Sequence, residues 1–418
     1  MSSIVEVVAP ARLGTGFRWL LASSWVSNLG DGLAIAAAPL LIASQTRDPF
    51  LVALAALLQQ LPWLVFGLHA GAIADRLNRR LIVVAVDGIR TVVLVLLALS
   101  ILTGTVSVPV VLGAVFLVGT AEVFADSASQ TLLPMLVHRS DLVVGRARLQ
   151  VGFVTVNQLL GPPLGAALFA TGMALPFFTQ AVLVGAGAVL ISRIVLTDDV
   201  HPERSTERLW RDIVEGYRWT VHHAAVRTLV LTIFIFNITF GAAWSVLVLY
   251  ARDRLGMGSV GYGLLTTAGA LGGIVGMAVY GWLTRRISLG NLMRIGLVLE
   301  TLTHLGLALT TSPAVALAIM FGFGAHAFIW GTTSATVRQR AVPNALQGRV
   351  GSLNAIGTYG GMIVGSGLGG LIARAGGVVA PFWFAFAGSA LFVVLLWGQL
   401  THIAHADADL DTEPAPAA

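Results

Sequence analysis

Residues Gly71 to Arg80, reading Gly-Ala-Ile-Ala-Asp-Arg-Leu-Asn-Arg-Arg, decide the fold because they form a short charged turn between two long apolar runs. The runs, near residues 51–73 and 82–102, are each long enough for a helix to cross a bilayer, which needs about 20 apolar residues. Charged side chains are costly in hydrocarbon, so the turn must lie at a membrane surface. The chain therefore crosses a membrane on both sides of this turn.

Composition extends this conclusion to the whole chain. Of the 418 residues, 56% are hydrophobic and 11% are charged, which leaves too little polar surface to cover a soluble globule. We predict an all-α membrane protein with twelve transmembrane helices. The predicted spans are 17–43, 51–73, 82–102, 108–130, 150–171, 176–196, 228–250, 260–283, 291–310, 313–333, 351–373 and 379–400.

The positive charges predict the orientation. All 25 basic residues are Arg. If the N-terminus is cytoplasmic, Arg47, Arg252, Arg254 and Arg374 fall on outer loops, Arg90 falls within a span, and the other arginines fall on inner loops or span ends. The positive-inside rule then places both termini in the cytoplasm of a multi-pass plasma-membrane (inner-membrane) protein. We expect a bacterial origin from the Arg-only, Ala-rich composition.

Residues that are missing from the sequence exclude several classes of function. The absence of Cys excludes disulfides and thiol catalysis, and the absence of Lys excludes a phosphate-binding loop of the Gly-Lys-Ser/Thr type. His222 and His223 are adjacent and not spaced as metal ligands on one helix face. Arg is spread over short loops, so nucleic acid is not expected. We predict no enzyme activity, no cofactor and no metal.

The chain divides into two halves. We predict an N-terminal six-helix bundle at 1–196, a cytoplasmic linker with an amphipathic helix at 197–227, a C-terminal six-helix bundle at 228–400, and a disordered acidic tail at 401–418. In the linker Trp210, Val214, Tyr217 and Val221 recur at helical spacing. A helix on the inner membrane surface and a solvated linker helix both explain that spacing.

Matching positions in the two halves predict a pseudo-symmetric repeat. Gly71, Asp75 and Arg76 precede Gly281, Arg285 and Arg286 by 210 residues. Two further matches follow in the same order: Pro134, Gly145 and Arg146 with Pro343, Gly348 and Arg349, and residues 161–168 with residues 365–372. Parallel repeats of six spans are a transporter architecture, with the substrate site where the repeats meet.

With twelve spans, a repeat and this charged turn, the sequence resembles the major facilitator superfamily, whose signature after span two is Gly-x-x-x-Asp-Arg-x-x-Arg-Arg. Asn78 stands where the family more often has Gly, and we expect it to tolerate a left-handed backbone there. The closer likeness is to the branch of drug, macrolide and siderophore exporters, which are proton-driven antiporters. That likeness rests on Gly30-Asp31-Gly32, Asp87 with Arg90, Ala121 to Asp126, Leu133-Pro134, and Gly161-Pro162 with Gly165.

The resemblance implies a conformational gate formed by Gly71, Asp75, Arg76, Arg79, Arg80, Glu122 and Asp126. In the family the carboxylate at Asp75 meets a helix N-terminus in the other half, here near Gly351, and Arg79 or Arg80 would reach Asp126. A helix N-terminus carries partial positive charge that favours a carboxylate. Alternatively, the arginines only enforce topology. Asn157 replaces an earlier Gly of the antiporter helix-bend motif at Gly161, Pro162 and Gly165.

Ionisable residues inside spans are the candidates for proton coupling. Asp31 lies deep in span one, where it could bind the coupling proton or cap a broken helix between its two glycines. Asp87 and Arg90 are three residues apart and share a helix face, so they can neutralise each other. Glu300 and His304, four residues apart on span nine, pair a carboxylate with an imidazole.

Spans one, four, seven and ten line the cavity in the family. This implies cavity contacts from Asn28, Asp31, Glu122, Asn237, Trp244, His326 and Trp330. We predict a monomeric secondary transporter in the lipid bilayer that exports a small amphiphilic organic compound in exchange for protons. The alternatives are uptake or lipid translocation by the same fold, or a sensor that does not transport.

Overall fold

A computed structural model describes residues 10–195, 206–343 and 346–399. Within them the side chains of Leu68, Ala72, Asp75, Arg76 and residues 206–213 are not described, and the predicted tail at 401–418 lies outside the described residues. Eleven helices in the described part are long and apolar enough to cross a membrane. The shorter apolar helix Ala380–Leu396 stands where the twelfth span was predicted.

The chain folds as two compact units. Unit 1 contains α1 to α7 and residues Met257–Thr267. Its helices are α1 (Gly14–Gln45), α2 (Pro49–Arg76), α3 (Arg79–Leu102), α4 (Val108–Leu136), α5 (Leu142–Gly152), α6 (Gly161–Thr171) and α7 (Leu175–Ser192). A π-helical segment, Phe153–Leu160, joins α5 to α6, so these three pieces form the fifth span.

Unit 2 contains the remaining helices, with α11 counted from Ala268 onward. They are α8 (Thr206–His222), α9 (Ala224–Trp244), α10 (Leu247–Asp253), α11 (Ser259–Thr284), α12 (Leu289–Leu309), α13 (Pro313–Ala341), α14 (Gln347–Gly376) and α15 (Ala380–Leu396). Helices α9 and α10 together make the seventh span.

Local sequence explains where the helices flanking the charged turn begin. Asp48 caps α2, because its side chain accepts a hydrogen bond from Phe50 N at 3.0 Å while Pro49 occupies the first turn. Asn78 caps α3 by accepting from Leu81 N at 3.1 Å. Its φ is −61°, so the expectation of a left-handed Asn78 was wrong. Asn and Gly are both good N-caps, which explains how Asn can replace the family's Gly.

The two units repeat the same helix pairings. In unit 1, α1 packs against α6 and α7, while α3 packs against α4 and α7. In unit 2, α9 packs against α14 and α15, while α12 packs against α13 and α15. Counted by span, the first packs on the fifth and sixth as the seventh packs on the eleventh and twelfth, so the helix pairings repeat as the sequence matches do.

Glycines allow the close pairs in both units. A Cβ on Gly165 of α6 would lie 2.1 Å from the carbonyl oxygen of Leu33 on α1. A Cβ on Gly369 of α14, the matching position, would lie 2.2 Å from the carbonyl oxygen of Ala242 on α9. Small residues let helix backbones approach in membranes, where lipid provides no hydrophobic force between helices.

The outer faces of the helices are apolar. On α3, Val92, Leu96 and Leu99 are 58%, 60% and 49% exposed and lie on one side of the helix. Many other large apolar side chains are exposed in the same way. Soluble monomers rarely expose such contiguous apolar surface, which is the surface expected against lipid.

Helix α8, in the predicted linker, is attached to the start of α14. Glu215 lies 2.6 Å from Arg349, and the backbone of Gly216 packs against that of Arg349. Trp219 of α8 packs on a buried apolar cluster of Val226, Val342 and Val350. Val214 and Tyr217 are exposed, so α8 also presents apolar side chains outward.

Candidate functional site

An ion-pair network lies near the middle of the helices of unit 1. Arg90 on α3 is 2% exposed, donates to Asp87 Oδ1 at 3.0 Å through Nη1, and contacts Asp31 Oδ1 on α1 through Nη2. The pairing of Asp87 with Arg90 agrees with their three-residue spacing. The contact with Asp31 joins residues 59 positions apart, and it brings two of the predicted proton-coupling elements into one network.

Two carboxylates of α4 belong to the same network. Glu122 and Asp126 interact electrostatically with Asp31, Asp87 and Arg90. Gln180 on α7 adds a polar contact, because its Nε2 donates to Asp31 Oδ1 at 3.4 Å. We call Asp31, Asp87, Arg90, Glu122 and Asp126 the acidic cluster.

The charges of the acidic cluster do not balance. The cluster contains four carboxyl groups and one guanidinium, so full ionisation would leave a net charge of −3 among these five side chains. A charge at the bilayer centre costs about 2.5–3.5 kcal/mol on insertion scales. The cluster therefore favours binding protons or a cationic ligand.

The backbone around Asp31 is held by tight helix contacts. Helix α1 runs unbroken from Gly14 to Gln45, so the alternative in which Asp31 caps a broken helix was wrong. The glycines beside Asp31 serve packing instead: a Cβ on Gly32 would lie 2.5 Å from the carbonyl oxygen of Asn157. Gly161 packs directly on Gly32, and Asn157 Nδ2 donates to the carbonyl oxygen of Asn28 at 3.2 Å. Pro162 and Gly165 are buried in the same span.

A second ionisable group lies in unit 2. His304 Nε2 is 3.3 Å from Glu300 Oε1, and His326 Nε2, from α13, is 3.1 Å from Glu300 Oε2. His304 is fully buried, while Glu300 and His326 are 8% and 6% exposed. We call these three residues the Glu-His-His cluster. It is not arranged as a metal site, since no group of three or more ligand residues in the described part could hold a metal ion.

Two aromatic rings border the Glu-His-His cluster, and a third ring packs on them. The Trp244 ring meets His304 edge-on with ring centroids 6.0 Å apart, and Phe323 meets His326 edge-on at 5.3 Å. Trp244 also stacks on Phe240 at 4.5 Å and contacts Phe323 at 4.6 Å. We call Phe240, Trp244 and Phe323 the aromatic group. All three are partly exposed.

Two arginines of the predicted gate, Arg79 and Arg80, donate hydrogen bonds to backbone carbonyl oxygens. Arg80 donates to the carbonyl oxygen of Ile194 at 2.8 Å, and Arg79 donates to that of Ala74 at 3.2 Å. A Cβ on Gly71 would meet nothing within 4 Å. The side chains of Asp75 and Arg76 lie outside the described residues, so their part in the gate stays a prediction.

The remaining cavity candidates make contacts within their own units. Asn28 and Asn237 donate to carbonyl oxygens one turn earlier in their own helices, of Ser24 at 2.8 Å and of Ile233 at 2.7 Å. The indole N–H of Trp330 is buried without a hydrogen-bond partner. Its ring packs on Gly296 of α12, where a Cβ would lie 2.7 Å from it.

Sequence reasoning missed several of the contacts that surround the two clusters. His326 was predicted as a cavity residue and not as a partner of Glu300, while Gln180, Phe240 and Phe323 were not predicted at all. Gln180 carried a usable signal, because an isolated amide in a strongly apolar span needs a polar partner. The two Phe residues carried none, since Phe is common on lipid-facing surfaces.

Comparisons with known proteins agree with this architecture. A family model described as a transmembrane secretion effector matches residues 6–416. The chain is 27% identical over 378 residues to the multidrug efflux pump Tap of Mycolicibacterium fortuitum, covering 87% of this chain and 90% of that protein. It is 25% identical over 393 residues to the enterobactin exporter EntS of Citrobacter koseri, covering 92% of each chain.

Solved structures share the fold. The nucleoside transporter NupG superposes with a TM-score of 0.72 at 12% identity, covering 93% of this chain and 99% of that one. A bacterial homologue of the iron transporter ferroportin, in its inward-facing state, superposes with a TM-score of 0.73 at 17% identity, covering 92% and 98%. At such identities the likeness concerns the fold alone.

Proposed function

Because this chain belongs to the major facilitator superfamily, in its group of transmembrane secretion effectors, we propose that it exports a small amphiphilic organic compound in exchange for protons. It is a multi-pass membrane transporter, and its relatives include efflux pumps. The names of those relatives, a multidrug pump and a siderophore exporter, support export and an organic substrate. We also propose that both termini are cytoplasmic, that the protein is a monomer and that the charged turn forms a conformational gate.

The acidic cluster is the observation that carries the proton coupling. Two of its four carboxyl groups contact the one buried Arg, and the other two interact with it electrostatically. Asp31 links α1 to α3 and α7, because it contacts both Arg90 and Gln180. Protonation of Asp31 would weaken its attraction to Arg90 and leave Arg90 with Asp87. That change in pairing between α1 and α3 is how proton binding would act on helix packing.

The test measures uptake into inverted membrane vesicles driven by an imposed pH gradient. Ethidium serves as the first probe, followed by a macrolide and a catecholate siderophore. For Asp31→Asn we expect the gradient-driven component to be lost while passive exchange of the probe persists. Asp141→Asn is the matched control, because Asp141 pairs with Arg12 at 3.7 Å outside the acidic cluster.

Undiminished dependence on the pH gradient in Asp31→Asn would exclude this residue as the coupling site. The direction of transport is tested in whole cells by the accumulation of the same probes. Lower accumulation on expression supports export, and higher accumulation would show uptake. Protein that moves none of these probes in either assay would contradict the proposed substrate class.

A further inference from the structure

Helix α8 contacts unit 2 along one side and has two other sides of different chemistry. We propose that α8 lies on the surface of the bilayer, with Val214, Tyr217 and Val221 among the acyl chains and with Arg218 and Arg227 binding the phosphate of an anionic phospholipid. This contact is independent of the transported substrate and of proton coupling.

The docked side of α8 is defined by the residues that it buries. Gly216 and Thr220, one helical turn apart, are both buried. A Cβ on Gly216 would lie 3.0 Å from the backbone of Arg349. Trp219 packs on the buried apolar cluster that α9 and α14 help to form. These contacts fix the rotation of α8 about its own axis, and they therefore determine where its other sides point.

The apolar side of α8 is exposed. Val214, Tyr217 and Val221 are spaced by three and four residues, so they share one face of the helix. All three are exposed. With 3.6 residues per turn, the centre of this side lies roughly 110° around the helix from the docked side. Unit 2 therefore leaves it uncovered.

The polar side of α8 carries Arg218 and His222, which are also exposed. Its centre lies roughly 90° beyond the apolar side. An amphipathic helix on a membrane places its apolar side among the acyl chains and its charged groups at the headgroups. When the apolar side of α8 faces the acyl chains, Arg218 lies at the level of the lipid phosphates.

The charge of this part of the chain favours an anion. Glu215 is already paired with Arg349 at 2.6 Å. From residue 216 to residue 252 the sequence contains three Arg and no acid. Arg227 Nη1 donates to the carbonyl oxygen of Val221 at 3.0 Å, which places a second guanidinium beside the apolar side. Arginines at a membrane surface attract anionic headgroups, and phosphate accepts charge-assisted hydrogen bonds from them.

Two Trp residues mark the bilayer surface at the same end of unit 2. Successive spans run in opposite directions, so α9 begins at the end where α11 and α15 finish. Trp282 and Trp397 are both exposed there. The guanidinium of Arg286 lies 4.6 Å from the ring centre of Trp282, and that of Arg294 lies 5.3 Å from that of Trp397. Exposed Trp and Arg are typical of the membrane–water interface. A single residue separates α8 from α9, which places α8 at this level.

The size of the apolar side favours lipid over a protein partner. Its three side chains extend over seven residues, or about 10 Å of helix. A stable protein interface buries about 800 Å² on each partner, which is far more than three side chains provide. Acyl chains need no complementary shape. The bilayer is also the neighbour already present, because the helices of unit 2 cross it.

The experiment measures which side of α8 meets lipid. The chain has no Cys, so a single introduced Cys in the full-length protein carries the only fluorescent label. Val214→Cys and Val221→Cys label the apolar side, and His222→Cys labels the polar side. Each protein is reconstituted into vesicles and exposed to lipids brominated on their acyl chains or to aqueous iodide. We expect brominated lipid to quench the apolar-side labels at least about threefold more than the His222 label, and iodide to show the reverse order.

The same labels test lipid charge. In vesicles of phosphatidylglycerol and phosphatidylcholine, only one of the two lipids is brominated at a time. Brominated phosphatidylglycerol should quench the Val221→Cys label more than brominated phosphatidylcholine at equal mole fraction. Adding Arg218→Gln should lower this preference by up to about fivefold, as expected for one basic residue at an anionic surface, and high salt should also lower it. Arg252→Gln, at the opposite end of the seventh span, is the matched control.

Three results would contradict the proposal. Equal access of iodide to both sides would show a solvated linker helix. Apolar-side labels shielded from both quenchers would show a second copy of the chain or another protein on this surface. Equal quenching by the two brominated lipids would exclude the anionic headgroup. Two labelled positions on the apolar side provide a readout if one variant does not fold, as judged by thermal unfolding. No transport is measured, so each of these results leaves the proposed export unaffected.

Discussion

Replacing Gly165 by Ala should separate α6 from α1 and destabilise unit 1. The added Cβ would lie 2.1 Å from the carbonyl oxygen of Leu33, whereas ordinary contacts begin at 3.4 Å. The helices must therefore move apart by about 1.3 Å, the difference between the two distances. The same α1 backbone carries Asp31, so the movement would also disturb its contact with Arg90.

The cost follows from two opposing effects. Overpacking a well-packed interface costs about 1–3 kcal/mol. The Gly to Ala change itself favours the helix by up to about 1 kcal/mol. We expect a net loss of about 1–2 kcal/mol for Gly165→Ala. Gly113 on α4 provides the matched control, because its Cβ would meet nothing within 4 Å. Gly113→Ala should be neutral or stabilising.

Thermal unfolding of purified protein, followed by tryptophan fluorescence, compares the two variants. One kcal/mol shifts Tm by about 2–4 °C for a unit of this size, so Gly165→Ala should unfold about 2–12 °C below Gly113→Ala. It should also show lower gradient-driven flux. Equal Tm values for the two variants would refute the close packing of α1 on α6.

Two further substitutions test local contacts. Asn78→Ala should cost about 1 kcal/mol by removing the cap of α3, while Asn78→Gly should cost only a few tenths; thermal unfolding of both would contradict the capping role if Gly were the worse. Arg349→Gln should lower stability by no more than about 1 kcal/mol, because the partner Glu215 is exposed. A loss of several degrees in Tm that persists at high salt would show that Arg349 stabilises the protein through the packing of α8 on α14 and not through its ion pair with Glu215.

Much of the fold could be predicted from apolar run length and charge placement. The runs between charged turns became the membrane helices, because a bilayer demands helices of nearly fixed length. The repeat could also be predicted, since the same glycine positions serve the same helix pairs in both units. The prediction of a left-handed backbone at Asn78 was wrong. A short polar side chain is also favoured at a helix N-cap, and Asn78 caps α3 through a local hydrogen bond.

The candidate sites were only partly predictable. Pairs within one helix, such as Asp87 with Arg90 and Glu300 with His304, followed from three- and four-residue spacing. The contact between Asp31 and Arg90 and the approach of His326 to Glu300 did not. They depend on how each helix is rotated about its axis, and helices that are apolar all round carry no polar face from which that rotation can be deduced.

By itself, the sequence determined that this chain spans a membrane in two matching halves and that it places ionisable groups at mid-depth. Run length and the cost of buried charge leave little choice on either point. The tertiary structure decided which of those groups meet. It brought the carboxyl groups of Asp31 and Asp87 onto Arg90 in one unit and two imidazoles onto Glu300 in the other. Helix rotation and close backbone packing at glycines, which are properties of the assembled bundle, set those contacts.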